Sequence, residues 1–274
     1  MPTWNAGQYL KFEDERTQPC RDLVARISLA HVWKVIDLGC GPGNSTKVLA
    51  ERWPDAQITG LDDSPSMIEE ARREQPQHHW VVQDITHWAE KPSSQTFDLV
   101  FSNAALQWVY DHASLFPKLF ARVAPGGAFA AQIPCNLNSP AHELMREISR
   151  GMRVREWHAH TSDFYYDLLA PDSTRLDMWE TEYLHVLPNA EAIVEWYKGS
   201  GLRPFLEAFD KDSDRAEFLA EYLKRLRAVY RPRPDGNVLF SFRRLFVVAY
   251  RKVTGPERSR AFEDRRSARP HSAR

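Results

Sequence analysis

The stretch VIDLGCGPGNST, Val35 to Thr46, constrains the fold more than any other part of the chain. A run of apolar residues passes directly into Gly39, Gly41 and Gly43 and then into Asn, Ser and Thr, which cap helices. Strand, bare turn and capped helix together open a βαβ unit, and a backbone without side chains lets a ligand approach the positive end of the helix. The same alternation continues to about residue 135. VWKVIDLG, AQITGLD, HHWVVQDI, FDLVFSNAAL and GGAFAAQIP read as buried strands, separated by amphipathic stretches such as SPSMIEEARREQ, where Ser64 is an N-cap and Pro65 stands in the first turn. Beyond Pro134 the rhythm changes. NSPAHELMREISRGMRVREW, NAEAIVEWYKGSG and SDRAEFLAEYLKRLRAVY have helical patterns, while RLDMWETEYLHVL and RRLFVVAYRK read as two late strands that close the sheet at an antiparallel edge.

The strand ends carry the chemistry. Asp62 closes the second strand nineteen positions after Gly43, where a carboxylate accepts both hydroxyls of a ribose. Asp84 follows the third strand, placed to accept from an adenine amino group with Ile85 against the ring. Asn103 and Ala104 follow the fourth, beside the crevice in which open parallel sheets bind ligands. Dinucleotide folds favour GxGxxG, whereas the spacing here is GxGxG. In this order, DLGCGPGNST, GLDDSPSMIEEAR, QDI, FDLVFSNAALQWV and APGGAFAAQ resemble the motifs of class I S-adenosylmethionine-dependent methyltransferases. YLKFEDERTQP, LGCGPGNST, SNAALQWVYDH, GLRPFL and RRLFVVA are similar to the trans-aconitate methyltransferase family over almost the whole chain, the C-terminal tail excepted.

The resemblance implies an α/β fold with a Rossmann-like, seven-stranded, mostly parallel sheet and an α-helical cap inserted after strand five and between the last two strands. With the change of rhythm after Pro134, residues 30–135, 173–187 and 243–254 are expected to be the S-adenosylmethionine-binding core and residues 1–29, 136–172 and 188–242 a helical substrate-binding cap, while the Arg/Ser/Pro-rich residues 255–274 read as a disordered tail. The resemblance also implies that Gly39, Gly41 and Gly43 cradle the methionine end of S-adenosyl-L-methionine, that Asp62 holds its ribose and that Asp84 and Ile85 receive the adenine, with Asn103 and Ala104 beside them. Asp37 either meets the cofactor ammonium or anchors the turn. The implied reaction is methyl transfer to a carboxylate of trans-aconitate or a similar small polycarboxylic acid, giving a monomethyl ester and S-adenosylhomocysteine. A carboxylate with a reference pKa near ~4 is already deprotonated at neutral pH. No catalytic base is therefore expected, only positioning. A polycarboxylate needs cationic clamps, for which Arg16, His142, Arg146, Arg203 and Arg244 are the candidates, with Tyr9, Trp108 and Tyr165 as pocket walls. Arg16 alternatively binds the cofactor carboxylate.

Composition narrows the partners. With 36 Lys+Arg against 37 Asp+Glu, net charge −1, no whole-molecule field draws the chain to nucleic acid or an anionic membrane. Amino-methylating enzymes of bases carry a [DN]PP[YFW] sequence after strand four, where this chain has SNAALQW. Cys20, Cys40 and Cys135 are far apart and make no CxxC, the N-terminus has charges where a signal peptide is apolar, and no stretch is apolar enough for a membrane span, so a soluble cytoplasmic protein is expected. Neither His78 with His79 nor His158 with His160 has metal-ligand spacing, and no metal is expected. Three alternatives stay open: a methyltransferase for another small-molecule or a nucleic-acid acceptor, an NAD-dependent dehydrogenase, and a regulatory protein that binds the cofactor without turning it over.

Overall fold

The structure is a computed structural model and describes residues 11–149, 152, 154 and 157–253. Tyr9 and the tail 255–274 lie outside the described residues. Seven strands among the described residues form one sheet: β1 (Lys34–Leu38), β2 (Gln57–Asp62), β3 (His79–Val82), β4 (Phe97–Asn103), β5 (Val123–Pro134), β6 (Ser173–Leu187) and β7 (Val238–Arg251). Their order is β3-β2-β1-β4-β5-β7-β6. The first five run parallel and β7 is antiparallel to both neighbours. The order reverses at β1, between β2 and β4, so the crevice at the strand carboxyl ends opens beside the glycine turn.

Ten α-helices among the described residues complete the fold. They are α1 (Glu13–Arg26), α2 (Asn44–Arg52), α3 (Pro65–Glu74), α4 (Ile85–Glu90), α5 (His112–Ala121), α6 (Pro140–Ile148), α7 (Ser162–Leu169), α8 (Ala190–Lys198), α9 (Arg203–Glu207) and α10 (Asp212–Val229). Both faces of the sheet are covered. On one, Cys20, Leu23 and Val24 of α1 and Val48 and Leu49 of α2 meet Leu99, Phe101, Ala128 and Ala130. On the other, α5 and α7 supply Phe116, Leu119, Tyr165 and Leu169 against Val100, Phe129 and Val247. This double burial is why the central strands read as continuous apolar runs.

A third cluster stands beyond the sheet and joins α6, α8 and α10 through Met145, Ile193, Trp196, Tyr197, Phe218 and Tyr222. The far end of the paired strands β6 and β7 enters it. Pairing of β5 with β7 stops at Pro134–Arg244, but β6 and β7 stay paired out to Leu187–Val238. Val238, Phe240 and Phe242 from that extension are buried among α6, α8 and α10.

The boundaries therefore differ from the sequence expectation in three places. Residues 238–242 are strand, because Val-Leu-Phe-Ser-Phe alternates with period two. Helix α1 lies on the sheet, since Cys20, Leu23, Val24 and Ile27 make a buried stripe at helical spacing. Helix α7, expected in the cap, packs with α5 on the opposite face.

Candidate active site at the carboxyl ends of the strands

The cavity at the switch point encloses about 1360 Å³ counting its open mouth, and its wall includes Gly39, Gly41, Asp62, Asp84, Ile85, Asn103, Ala104, Trp108, Arg16 and Arg203.

The glycine turn is held from below and from the side. Asp37, fully buried on β1, accepts hydrogen bonds from Ser45 Oγ and Thr46 Oγ1, both at 2.7 Å, and so ties the first turn of α2 to the sheet. It is not among the residues on the cavity wall. Of its two expected roles, these contacts match the anchor. Burial drives its carboxyl from 3.8 up to about 6, against the two hydroxyl bonds. Gly39 has φ +71°, and a Cβ there would sit 2.1 Å from Ala105 Cβ, so the turn packs directly on the loop after β4. Gly41 has φ +56° with nothing within 4 Å of the corresponding position.

Asp62 links the turn to the next strand end. Its Oδ2 accepts from the Gly41 N–H and its Oδ1 from the Ser64 N–H, each at 2.9 Å. Burial raises this carboxyl to about 6; the two amides, and more weakly the Arg203 charge, oppose the rise. Each oxygen keeps a second lone pair for another donor. Asp84 is half exposed and is the N-cap of α4, accepting from His87 N–H at 2.9 Å.

The loop after β4 forms the opposite wall. Ala104 has φ 55°, a conformation that costs a non-glycine residue free energy and holds only where neighbours impose it. They do so here. Ala104 N–H donates to Gln132 O at 3.0 Å, and Gln107 Nε2 donates to Ala104 O at 2.6 Å. His112 lies within 2.9 Å of Leu106 O through Nε2 and within 2.8 Å of the Tyr165 hydroxyl through Nδ1. A carbonyl only accepts, so Nε2 carries the proton and Nδ1 accepts from Tyr165. Burial lowers the pKa of His112 and keeps it neutral.

Two cations face this space. Arg203, in the first turn of α9, lies 5.9 Å from the Trp108 ring. Arg16, in α1, donates from Nη2 to Trp196 O at 2.8 Å and lies 5.1 Å over that indole.

Four expected substrate residues are not on the cavity wall. His142 is buried between Trp157 and Tyr197, and burial holds it neutral with a pKa of about 3, so it offers no positive charge. Arg146 donates to Leu137 O, just before its own helix, at 2.7 Å. Tyr165 is fully buried on the far face, its hydroxyl shared between His112 and the His160 N–H. Arg244 is buried behind the wall and donates to Gln132 Oε1 at 3.0 Å. Conversely, Thr17, Cys20, Met67 and Val109 line the cavity without having been singled out. Cys20 follows from Arg16 at i+4 once a helix is assigned there, and Thr17 from Cys20 at i−3. Nothing in the sequence points to Val109.

Comparison with known proteins addresses the fold and the family. Residues 35–127 match the sequence family described as "Methyltransferase domain". The Haemonchus contortus phosphoethanolamine N-methyltransferase 2 complex with S-adenosyl-L-methionine superposes with a TM-score of 0.57 at 14% identity, over 90% of this chain and 56% of that one. Coclaurine N-methyltransferase bound to N-methylheliamine and S-adenosylhomocysteine gives 0.53 at 15% identity, over 90% and 82%. The fold is that of the class I S-adenosylmethionine-dependent methyltransferases. Among sequence relatives, the trans-aconitate 2-methyltransferase of Azoarcus sp. (strain BH72) is 48% identical over 92% of this chain and 100% of its own. That of Rhodopseudomonas palustris (strain BisB18) is 46% identical over 91% and 99%. The chain belongs to the trans-aconitate 2-methyltransferase family.

Proposed function

We propose that this enzyme transfers the methyl group of S-adenosylmethionine to a carboxylate of trans-aconitate, giving a monomethyl ester and S-adenosylhomocysteine. The observation that carries the reading is one cavity holding both a nucleoside-type carboxylate, Asp62, and two guanidinium groups, Arg16 and Arg203. The relatives named above support the choice of acid.

The residues fit the cofactor. Gly41 leaves space that any Cβ would fill, and Asp62 has lone pairs left for two ribose hydroxyls. Asn103 Oδ1, buried and without a hydrogen-bond partner among the described residues, is an acceptor suited to an ammonium group. Gly39 and Gly41 would hold the methionine end, Asp84 and Ile85 the adenine, with Ala104 against the reacting end; Gly43, also expected in the cradle, is off the cavity wall and packs against Gln75 and Trp80. When bound, S-adenosylmethionine supplies a methyl group on a positively charged sulfur.

The acceptor carboxylate arrives deprotonated, so no side chain has to take a proton from it. What the chain contributes is orientation and exclusion of water. Arg16 and Arg203 supply positive charge to the acid, Trp108 and Val109 give the wall an apolar surface, and the cap made by α6, α8, α9 and α10 closes over the strand ends. Net charge near zero supports a small acceptor rather than nucleic acid. No metal-holding group of His, Cys, Asp or Glu and no helix able to cross a membrane is present among the described residues. The free thiols of Cys20, Cys40 and Cys135 support a cytoplasmic site of action.

The test is incubation of the enzyme and S-adenosylmethionine with trans-aconitate, a monocarboxylate, a phenol, an amine and an oligonucleotide, with products read by mass spectrometry. A monomethyl ester of the triacid alone is expected. Methylation of the amine, phenol or oligonucleotide in preference would overturn the assignment.

A further inference from the structure

The wall after β4 runs against the geometry of the strand that carries it. In an extended chain neighbouring residues point to opposite faces of the sheet, yet Asn103, Ala104 and Ala105 all line the cavity, followed by Trp108 and Val109. The break falls at Ala104. Its φ of 55° turns the chain out of the strand direction directly after the last β4–β5 pair, Asn103 with Gln132. That sets Ala105 down on the glycine turn, so close that a Cβ on Gly39 would lie 2.1 Å from Ala105 Cβ. One residue in a disfavoured conformation therefore joins the two walls of the cavity, the one that follows β1 and the one that follows β4.

An alanine does not hold that conformation unaided. Its N–H is fixed by Gln132 O, a main-chain contact that any residue at 132 would supply. Its carbonyl is fixed by one side chain, Gln107, which folds back three residues from the 3₁₀ turn Leu106–Trp108 and donates at 2.6 Å. A carbonyl only accepts, so the amide atom at this contact is Nε2 and the other branch is Oε1. That Oε1 is buried and has no hydrogen-bond partner among the described residues. Burying an unmet acceptor costs stability, which an apolar side chain of the same size would avoid. What the amide supplies in exchange is the donor to Ala104. The backbone beneath it is itself held, since Gln107 O accepts from the His158 N–H at 2.7 Å and Leu106 O faces His112 Nε2 at 2.9 Å.

We propose that Gln107 is a positioning residue for methyl transfer. It is not among the residues on the cavity wall and acts through one that is: by clamping the Ala104 carbonyl it keeps the wall after β4 folded against the glycine turn, so that cofactor and acceptor meet at one fixed separation. If Ala104 relaxed to negative φ, the chain would leave Asn103 in another direction and Ala105 would come away from Gly39. In-line transfer is sensitive to such a change, because a misplacement of about 1 Å costs up to ~100-fold in rate. The role deepens the methyltransferase reading above and rests on it.

A double-substitution cycle tests it. Gln107→Met removes the clamp at similar volume, while Ala104→Gly removes the need for one, since glycine takes positive φ at little cost. Wild type, each single variant and the pair are compared. For each, the dissociation constant of S-adenosylhomocysteine is measured by calorimetry, and kcat/KM with trans-aconitate at a temperature well below the melting transition. Gln107→Met in the wild-type chain should worsen at least one of the two quantities by ~tenfold or more. In the chain already carrying Ala104→Gly, the same substitution should cost less than about threefold. Packing lost around residue 107 would be indifferent to a methyl group at residue 104, so a merely structural role gives equal penalties in both chains. Equal penalties overturn the proposal, and so does no penalty in either chain. Should Gln107→Met alone fail to fold, the pair decides: a folded pair that binds S-adenosylhomocysteine as Ala104→Gly does supports the clamp, and an unfolded pair overturns it. A wild type that binds S-adenosylhomocysteine without methylating trans-aconitate defeats the choice of acid, and the cofactor constants still judge Gln107.

Discussion

A single methyl group placed at either of two glycines in the same turn should separate folding from ligand binding. Gly39→Ala meets two obstacles. At φ +71° an L-residue costs about 1–2 kcal/mol. The new Cβ would lie 2.1 Å from Ala105 Cβ, about 1.3 Å short of ordinary 3.4 Å contact. Neither partner can rotate away, since both are Cβ atoms, so the loop after β4 must move, and overpacking of this kind adds about 1–3 kcal/mol. The sum of about 2–5 kcal/mol should lower Tm by roughly 5 to 15 °C for a chain of this size. Gly41→Ala carries only the backbone cost, because nothing lies within 4 Å of its Cβ position. Its Tm should fall by only about 2–6 °C. Its added methyl occupies the cradle, so affinity for S-adenosylhomocysteine should drop at least ~tenfold, or about 1.4 kcal/mol. Thermal melts of the apoprotein, paired with calorimetric titration, read both effects. Wild-type affinity in Gly41→Ala would show that the backbone there does not contact the cofactor. A Gly39→Ala melt as mild as that of Gly41→Ala would refute the packing argument.

Two further outcomes follow from the buried polar groups. Asp37 and Asp62 both rise from 3.8 to about 6 on folding, so between about pH 4 and 6 the native state holds protons the unfolded chain has released. Their contribution to stability is fully present below about pH 4 and is lost as pH rises through about 6. The difference in Tm between wild type and Asp62→Asn should therefore shift in favour of the variant as pH climbs across that window, while wild-type cofactor affinity strengthens. A difference that does not change with pH would contradict the raised carboxyl of Asp62. Tyr165→Phe leaves His112 Nδ1 and the His160 N–H without their shared partner. Chemical denaturation should show a loss of about 1–3 kcal/mol, and an unperturbed midpoint would mean that water replaces the hydroxyl.

The sequence by itself determined the sheet, the switch point and the residues at the strand ends. These are local matters: a buried strand must be continuously apolar, a turn with positive φ selects glycine, and Ser64 and Pro65 announce α3. Asp62, Asp84, Ile85, Asn103 and Ala104 were legible because each stands at the end of a strand, where a parallel sheet delivers its side chains to one crevice. The clamp residues were not legible in the same way. Arg16, Arg146, Arg203 and Arg244 look alike in the chain, and their difference arises only from what each guanidinium meets in space: the cavity for Arg16 and Arg203, Leu137 O for Arg146 and Gln132 for Arg244. The same holds for Tyr165, whose aromatic character fits a pocket wall or a core equally well until α7 is seen packed against α5. Gln132, in AAQIP, has no local signature at all. Its amide oxygen accepts from Arg244, 112 residues away, and the strand register sets it beside Asn103. Periodicity and turn chemistry act over a few residues, whereas the direction of a buried donor is set by contacts between distant segments, and those exist only once the chain has folded.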